Sequence, residues 1–529
     1  MTTSPYRRWA ALAAALTVTF AMGACGSDEP TDSTSADQTT AGGTESETGA
    51  PAATTGGDLV VDRSADIFTF DPYNTQDDRS IFTEMEIYER LVKLGADGAT
   101  IEPCLATEWT IAEDGLSAVF KLRDGVLFSD GSPMTAQDVA FSLTRAADQE
   151  GSWGFLFSPV KTVEATGDLE ITITLSEPFA PLLPALATFA ASIYPEAAVD
   201  NLGTTPIGTG AFMLGEWKKG ASLTLVKNPN YWQEGLPTLD SVTFNVVGDD
   251  NARVLQLQSG EADVLDGLAP AQIAALEDAG MQIKTVEGTA VVWVILNEAK
   301  EPLQDKNVRL ALAWAMDRET IASTVYSGLA TPAKTLFPSS TLFYSGDQEP
   351  PGYDLDKAKE YLAASSVPDG FSFTVTVPSG EAQTLQTAQI WQNSLAQIGI
   401  TLEIEQLEAT TAQDEYNTEA FTARIAPWTN DTPDPDELAG VALDYEPQNG
   451  LHTSFRSDEA RDLVLAGRSE LDETARAEIY AQLQLIANQE MPFIPVVEVP
   501  RLYAAAPGVT GFQPNSQGMY GFIDVSVSK

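Results

Sequence analysis

The chain reads as a mixed α/β fold, and three observations carry that assignment. Short alternating strands and amphipathic helices are interspersed from about residue 58 to the end, with no internal repeat and no regular βαβ series. The 529-residue length allows two or three domains with large cores. Apolar residues make up 43% of the chain, enough to build those cores.

The elements follow in order. Leu59-Val60-Val61 opens the body as a short apolar strand. Residues 120–145, FKLRDGVLFSDGSPMTAQDVAFSLTR, read as a strand with apolar positions Phe120, Leu122, Val126 and Phe128, followed by a capped helix. Asp124-Gly125 and Asp130-Gly131 are turn dipeptides, because Gly tolerates positive φ and Asp bonds its own backbone. Thr135 stands three residues before Asp138, a capping-box spacing that opens a helix through Val139, Phe141 and Leu143. Residues 169–176 alternate Leu169, Ile171, Ile173 and Leu175 against polar neighbours, as a half-buried strand does. Segments 222–228, 241–247, 371–377 and 401–407 also read as strands, and 305–316, 354–365, 384–398 and 472–489 as helices. The last starts after Asp472, a good N-cap, and carries Ala475, Ile479, Leu483 and Ile486 at helical spacing.

Charge excludes whole classes of partner. Twenty-nine basic residues face 76 acidic ones, a net of −47. Such a field repels phosphate backbones and anionic headgroups, so nucleic acid is not expected as a partner. Two cysteines, Cys25 and Cys104, are too differently placed to suggest a disulfide. With one histidine, His452, no zinc site is expected, nor any metal or cofactor. A Ser-His hydrolase would have to use His452, which lies in NGLHTSFRSDEA with no nucleophile elbow elsewhere. Ser158-Pro-Val-Lys161 lacks the partner motifs of penicillin-binding enzymes. A secreted cell-wall hydrolase remains the alternative class, because paired carboxylates cannot be sorted by counting.

Residues 1–25 form an export signal: Arg7 and Arg8, an apolar run from Trp9 to Met22, then Gly23-Ala24-Cys25. The run is too short to span a bilayer. The arginine pair leaves open either the general secretory or the twin-arginine route. The Gly-Ala-Cys junction resembles the bacterial lipobox, which implies diacylation of Cys25 and anchoring at the outer face of the cell membrane. Residues 26–57 hold no aromatic residue and no Leu, Ile or Val, so a disordered tether is expected.

Along the body, FTFDPYN (68–74), IYERLVKL (87–94), the 120–145 segment, PIGTGAFML (206–214), NPNYW (228–232), RVLQLQSGEADV (253–264), residues 296–321, VYSGLATPA (325–333) and DLDKAKEYLAAS (354–365) occur in a fixed order. That order resembles the extracytoplasmic solute-binding proteins of ABC importers, family 5, which includes dipeptide, oligopeptide and nickel binders. The resemblance implies a non-enzymatic, monomeric protein that hands its ligand to a permease and ATPase complex. It also implies a two-lobed, periplasmic-binding-protein-like clamshell with an extra subdomain in the first lobe. Lobe I would comprise 58–95, 196–290 and 500–529, the inserted subdomain 96–195 and lobe II 291–499, with crossings near 288–296 and 497–503.

The resemblance also points to a ligand site in ARIAPWTNDTPDPDEL (423–438). Trp-x-x-Asp in peptide binders of the family supplies a carboxylate to the ligand's α-ammonium, and Asp431 holds that position three residues after Trp428, with Asn430 between them. An ionised Asp in a dry cleft makes strong charge-assisted bonds to a compact cation. Trp428 and Trp293 are candidate apolar walls, with core packing as the alternative. Arg424, four residues before Trp428, is a candidate for a ligand carboxylate, although the oligopeptide-type arrangement places its Arg three before. Tyr73, Asn74, Thr75 and Gln76 follow Asp71-Pro72 as a polar loop of a kind that touches ligand in the family. Gly208-Thr209-Gly210 offers close backbone approach without a dinucleotide fingerprint. Asp434 and Asp436 are expected to be solvated turn residues, and Cys104 a buried thiol. A short peptide is the expected ligand, with a nickel chelate, haem or an oligosaccharide as alternatives.

Overall fold

The computed structural model describes residues 56–346, 350–429, 431–446 and 450–528; Cys25 and Asn430 lie outside them. An 11-stranded sheet forms the frame. Its order is Thr401–Leu407, Ser372–Pro378, Ala423–Thr429, Gln282–Leu296, Phe493–Ala505, Val264–Asp266, Asp58–Arg63, Ser241–Val246, Ser222–Lys227, Phe212–Lys218, and the short Thr331–Pro332 pairs with Phe493–Ala505. The two central strands are also the longest, at 15 and 13 residues. They run antiparallel through both halves of the sheet. Gln282 to Val286 pairs with Ala505 to Arg501, and Ala290 to Ile295 pairs with Val499 to Phe493.

Between those stretches the register shifts. Gly288 sits in this irregularity at φ +67°, where a Cβ would lie 2.9 Å from Ser339 Oγ, so the position requires glycine on both conformational and steric grounds. The chain therefore crosses from one half of the sheet to the other along two strands that bend at one place.

Sequence periodicity explains the local elements. In Glu170–Leu175, Ile171, Ile173 and Leu175 are buried and the intervening residues half-buried. Each such side chain contributes about 1.5–3 kcal/mol on burial. This strand belongs to a four-stranded antiparallel sheet with Ala106–Ile111, Ser117–Leu122 and Val160–Gly167. The helix Ala136–Ala146 starts with the expected capping box: Asp138 N–H donates to Thr135 Oγ1, and Thr135 N–H donates to the Asp138 carboxylate. The preceding strand ends at Leu122, earlier than its apolar pattern suggests. Val126 and Phe128 are still buried, but they sit in the two turns, where Gly125 and Gly131 take positive φ.

One core runs from Leu59 through Phe244 and on to Tyr503–Val527, so the four-stranded sheet shares its interior with the first half of the large sheet. The second half is covered on both faces. Val292, Val294 and Ile425 face a core with Trp391 and the helix Lys306–Trp314. Trp293, Ile295 and Phe493 face another core with Leu438, Tyr480 and Leu483.

The helix Glu473–Glu490 begins where Asp472 predicts, and polar residues share its buried face with apolar ones. Arg476, Tyr480, Leu483, Gln484 and Ala487 point inward. Polar residues are tolerated there because their partners are inside, as the next section describes.

Candidate functional site

Ala423–Thr429 pairs antiparallel with Gln282–Leu296, placing Trp428 opposite Val291 and Ala426 opposite Trp293. Strand alternation then sends the two tryptophans to one face and Val292 and Pro427 to the other. Trp293 has no exposed surface. It stacks on Trp428 at 6.4 Å between ring centroids and on Phe493 at 5.0 Å. Trp293 is thus a core residue, and Trp428 is its half-buried neighbour. Val292 and Pro427 face a cavity of about 770 Å³.

The cavity lies between the two halves of the sheet. Arg253 and Asp266 come from the first half, Tyr326 and Glu381 from the second, and Val499 to Tyr503 from the crossing strand. Its volume is in the range of small-molecule sites, roughly 300–1,000 Å³. Arg253 is already engaged: it donates to Asp250 at 2.7 Å and to the Val247 carbonyl at 2.8 Å. Arg501 is the other cation of the wall, and its side chain is 19% exposed.

Arg501 joins three parts of the chain. Its Nη2 donates to Asp78 at 2.6 Å and approaches Thr429 Oγ1 at 3.4 Å. Its guanidinium sits 5.3 Å from the centre of the Phe82 ring. Asp78 occupies the first turn of the helix Asp78–Ile87, where negative charge is favoured by the helix dipole.

Asp431 is buried just beyond the strand end and senses both charges. Burial, and then the nearby Asp78 charge, push its carboxyl up to about 7, and Arg501 opposes the shift. Asp431 and Thr432 donate their N–H groups to Glu437 at 3.0 and 3.1 Å. Glu437 is itself pushed far above the usual carboxylate range, by burial and by Asp431.

Asp434 and Asp436 correct the sequence expectation. They are not solvated: both are buried and hold the turn in place. Arg476 grips Asp434 with two bonds, of 2.6 and 2.7 Å, and Arg468 reaches Asp436 at 3.1 Å. Two helices, Asp458–Ser469 and Glu473–Glu490, supply those arginines. The Asp-Pro-Asp run is therefore a clamp that fixes where Asp431 stands.

The family model for bacterial extracellular solute-binding proteins, family 5, matches residues 100–449. The chain belongs to this family. The glutathione-binding protein GsiB of Salmonella typhi is 30% identical over 474 residues, covering 86% of this chain and 91% of that protein. Among solved structures, DppA of Helicobacter pylori in complex with the peptide STSA superposes with a TM-score of 0.82 at 29% identity, covering 90% of this chain and 99% of that one. The oligopeptide-binding protein AppA of Bacillus subtilis, in complex with a nonapeptide, gives 0.79 at 26%, covering 90% and 100%. The two-lobed fold is thus that of a family 5 solute-binding protein, an extracytoplasmic, non-enzymatic component of ABC transport. No helix among the described residues is long and apolar enough to cross a membrane.

Among the described residues, none of the site candidates read from the sequence lines the cavity, Asp431, Trp428 and Trp293 included. Arg424 donates to Gln413 at 3.1 and 3.2 Å and lies over the Tyr416 ring, several residues up the strand from Trp428. Tyr73 donates to Asp148 at 2.9 Å, and Gln76 to Ser152 at 3.1 Å. Thr75 is fully buried, with its hydroxyl within hydrogen-bond reach of the Asp71 carbonyl and of Glu84. Arg145 anchors this loop with two bonds to Asp71, of 2.7 and 2.8 Å.

Gly208 and Gly210 do accept a close approach, but from the chain itself. A Cβ would lie 2.1 Å from the Ile87 carbonyl at Gly208 and 2.4 Å from the Glu86 carbonyl at Gly210. Thr209 donates to the buried Glu89 at 2.9 Å. Cys104 is buried as expected, and burial pushes its thiol up to about 12.

Sequence reading missed Arg501, Asp78, Tyr326 and Glu381. Arg501 left one trace: with Glu498 it is one of two charged residues in the otherwise largely apolar strand Phe493–Ala505.

Proposed function

We propose that this protein is the lipid-anchored binding component of an ABC importer, and that it captures a short peptide between its lobes. The observation that carries the reading is the cavity of about 770 Å³ bounded by both halves of the sheet and walled by Arg501, which bonds Asp78 at 2.6 Å. Asp431 is the counter-charge for the peptide's ammonium. The crossing strands bend around Gly288, so lobe I (58–95, 196–290 and 500–529, with 96–195 inserted) rocks against lobe II (291–499). Ligand touches both lobes only when they are closed, and binding shifts the population to that form. The named relatives support a peptide: one binds glutathione and two were solved with peptides. Among the described residues no cluster of His, Cys, Asp and Glu is arranged to hold a metal ion.

Calorimetry with a panel of di- to pentapeptides, followed by mass analysis of the recovered ligand, tests the capture. Saturable binding with intact ligand is expected. Cleaved product, or binding confined to metal chelates, haem or sugars, refutes it. For the anchor, cells fed labelled fatty acid are expected to label the wild-type chain and not Cys25→Ser.

A further inference from the structure

The inserted stretch 96–195 touches lobe II at a helix end. The helix Asp458–Ser469 leaves its last carbonyls without partners inside the helix, as every α-helix does. Glu470 N–H donates to the Ala466 carbonyl at 2.9 Å, and Arg476 Nε to the Gly467 carbonyl at 2.7 Å. The Arg468 carbonyl is met from the inserted stretch, where Ala180 N–H donates to it at 2.9 Å. Beside this bond Leu471 leans over Gly115, with about half of its surface still open to water. A Cβ on Gly115 would stand 2.9 Å from Leu471 Cδ1 and 3.1 Å from Pro178 Cβ, so glycine leaves the room that the leucine takes.

The same helix end holds the turn that carries Asp431. The Arg468 side chain reaches Asp436, and Arg476 grips Asp434. At the other end of that turn, Thr432 and Pro433 face Gly98 and Ala99 of the inserted stretch across a space of about 20 Å³. The inserted stretch thus meets lobe II on both sides of residues 431–436, and none of these contact residues lines the large cavity. One hydrogen bond and a half-exposed leucine are strong enough to bias an equilibrium and weak enough to be broken and remade.

We propose that the inserted subdomain is a closure latch: Ala180, and the seat that Gly115 and Pro178 make for Leu471, engage lobe II in the closed form and let go in the open one. The inference rests on the reading of two lobes closing around Gly288 and adds the element that regulates it. A contact made only in the closed form lowers the free energy of that form whatever lies in the cleft. It therefore scales the affinity for every ligand by one common factor and leaves selectivity unchanged. Opening breaks the Ala180–Arg468 bond and lifts Leu471 from Gly115, so the latch sets how long a captured solute is held.

Leu471→Ser and Ala180→Pro, the second lacking the N–H, are titrated as full chains with the di- to pentapeptide panel. Each is expected to weaken every peptide that the wild type binds by one common factor of about three- to tenfold, with the loss in the dissociation rate. Thermal melts establish that the variants fold; Leu471 is half exposed, so its variant decides should Ala180→Pro fail to. In a second arm Pro178→Cys is combined with Leu471→Cys, and the two introduced thiols are bridged by a short bis-maleimide, Cys104 being buried. Bridging within one chain is expected in most molecules, and a peptide loaded beforehand should then leave at least tenfold more slowly. Affinities within twofold of wild type in folded Leu471→Ser, losses confined to some of the peptides, or unchanged release after bridging overturn the latch and leave peptide capture standing. Should no peptide bind the wild type, peptide capture falls and bridging alone decides the latch, which failure to bridge overturns.

Discussion

Ligand capture at Asp431 should release protons, and the number is set by the structure. The Asp431 carboxyl is buried, and its pKa is raised to about 7, first by desolvation and then by Asp78. Unliganded protein therefore holds a proton there for much of the time near neutrality. A peptide ammonium placed against Asp431 favours the ionised form and drives that proton off. With a starting value of about 7 and a bound value at least two units lower, Asp431 releases about 0.8–0.9 proton at pH 6 and about 0.5 at pH 7, while towards pH 8 uptake by the peptide amine, whose ordinary value is about 8, offsets the release.

Calorimetry measures this directly. Titrations in phosphate and in Tris, whose ionisation enthalpies differ widely, give apparent enthalpies whose slope against buffer enthalpy is the number of protons released. Asp431→Asn should bring the slope close to zero at pH 6, where the peptide amine is already protonated, and weaken binding. A flat dependence in the wild type at pH 6, with binding intact, would refute the ammonium–Asp431 contact.

Three other outcomes are expected. Because the folded pKa of Asp431 lies above its unfolded value, folding loses stability as pH rises from about 4 to about 7, so Asp431→Asn should be the more stable protein in denaturant at pH 8 and indistinguishable near pH 4. Asp434→Ala strands Arg476, whose side chain is 7% exposed, and should cost about 3–5 kcal/mol in chemical unfolding; a loss below about 1 kcal/mol would show the pair to be dispensable. Trp293→Ala removes a fully buried ring and should cost about 3–5 kcal/mol of stability, whereas a ligand wall would instead lose affinity at unchanged stability.

Much of the architecture was legible from local pattern. The helices Lys306–Trp314, Leu355–Ala363 and Ala382–Ala396 and the strands Ser222–Lys227, Ser241–Val246, Ser372–Pro378 and Thr401–Leu407 lie where periodicity puts them, to within a few residues. The Thr135–Asp138 cap is correct to the atom, because capping is decided within one turn of chain. The apolar stripe of Glu473–Glu490 packs inward through Ile479, Leu483 and Ile486, with Arg476 and Gln484 buried beside it. One reading failed: Asp434 and Asp436 looked like turn residues exposed to water. The mistake comes from a polar pair buried as a unit: Asp434 and Arg476 are 42 positions apart, and neither reveals the other. The same holds for Gly208 and Gly210, whose close neighbours Ile87 and Glu86 lie in a distant segment.

Periodicity and turn residues were enough to indicate a mixed α/β fold, since each depends on spacing along the chain, whereas the solute-binding assignment and the candidacy of Asp431 came from the resemblance to family 5. The tertiary structure decided what stands beside Asp431. Asp78 and Arg501 are 423 positions apart, and only the return of the last long strand through the middle of the sheet brings them together. A carboxylate's chemistry is set by the charges within a few ångströms of it. Those neighbours are fixed by how the strands cross, which no local stretch of sequence encodes.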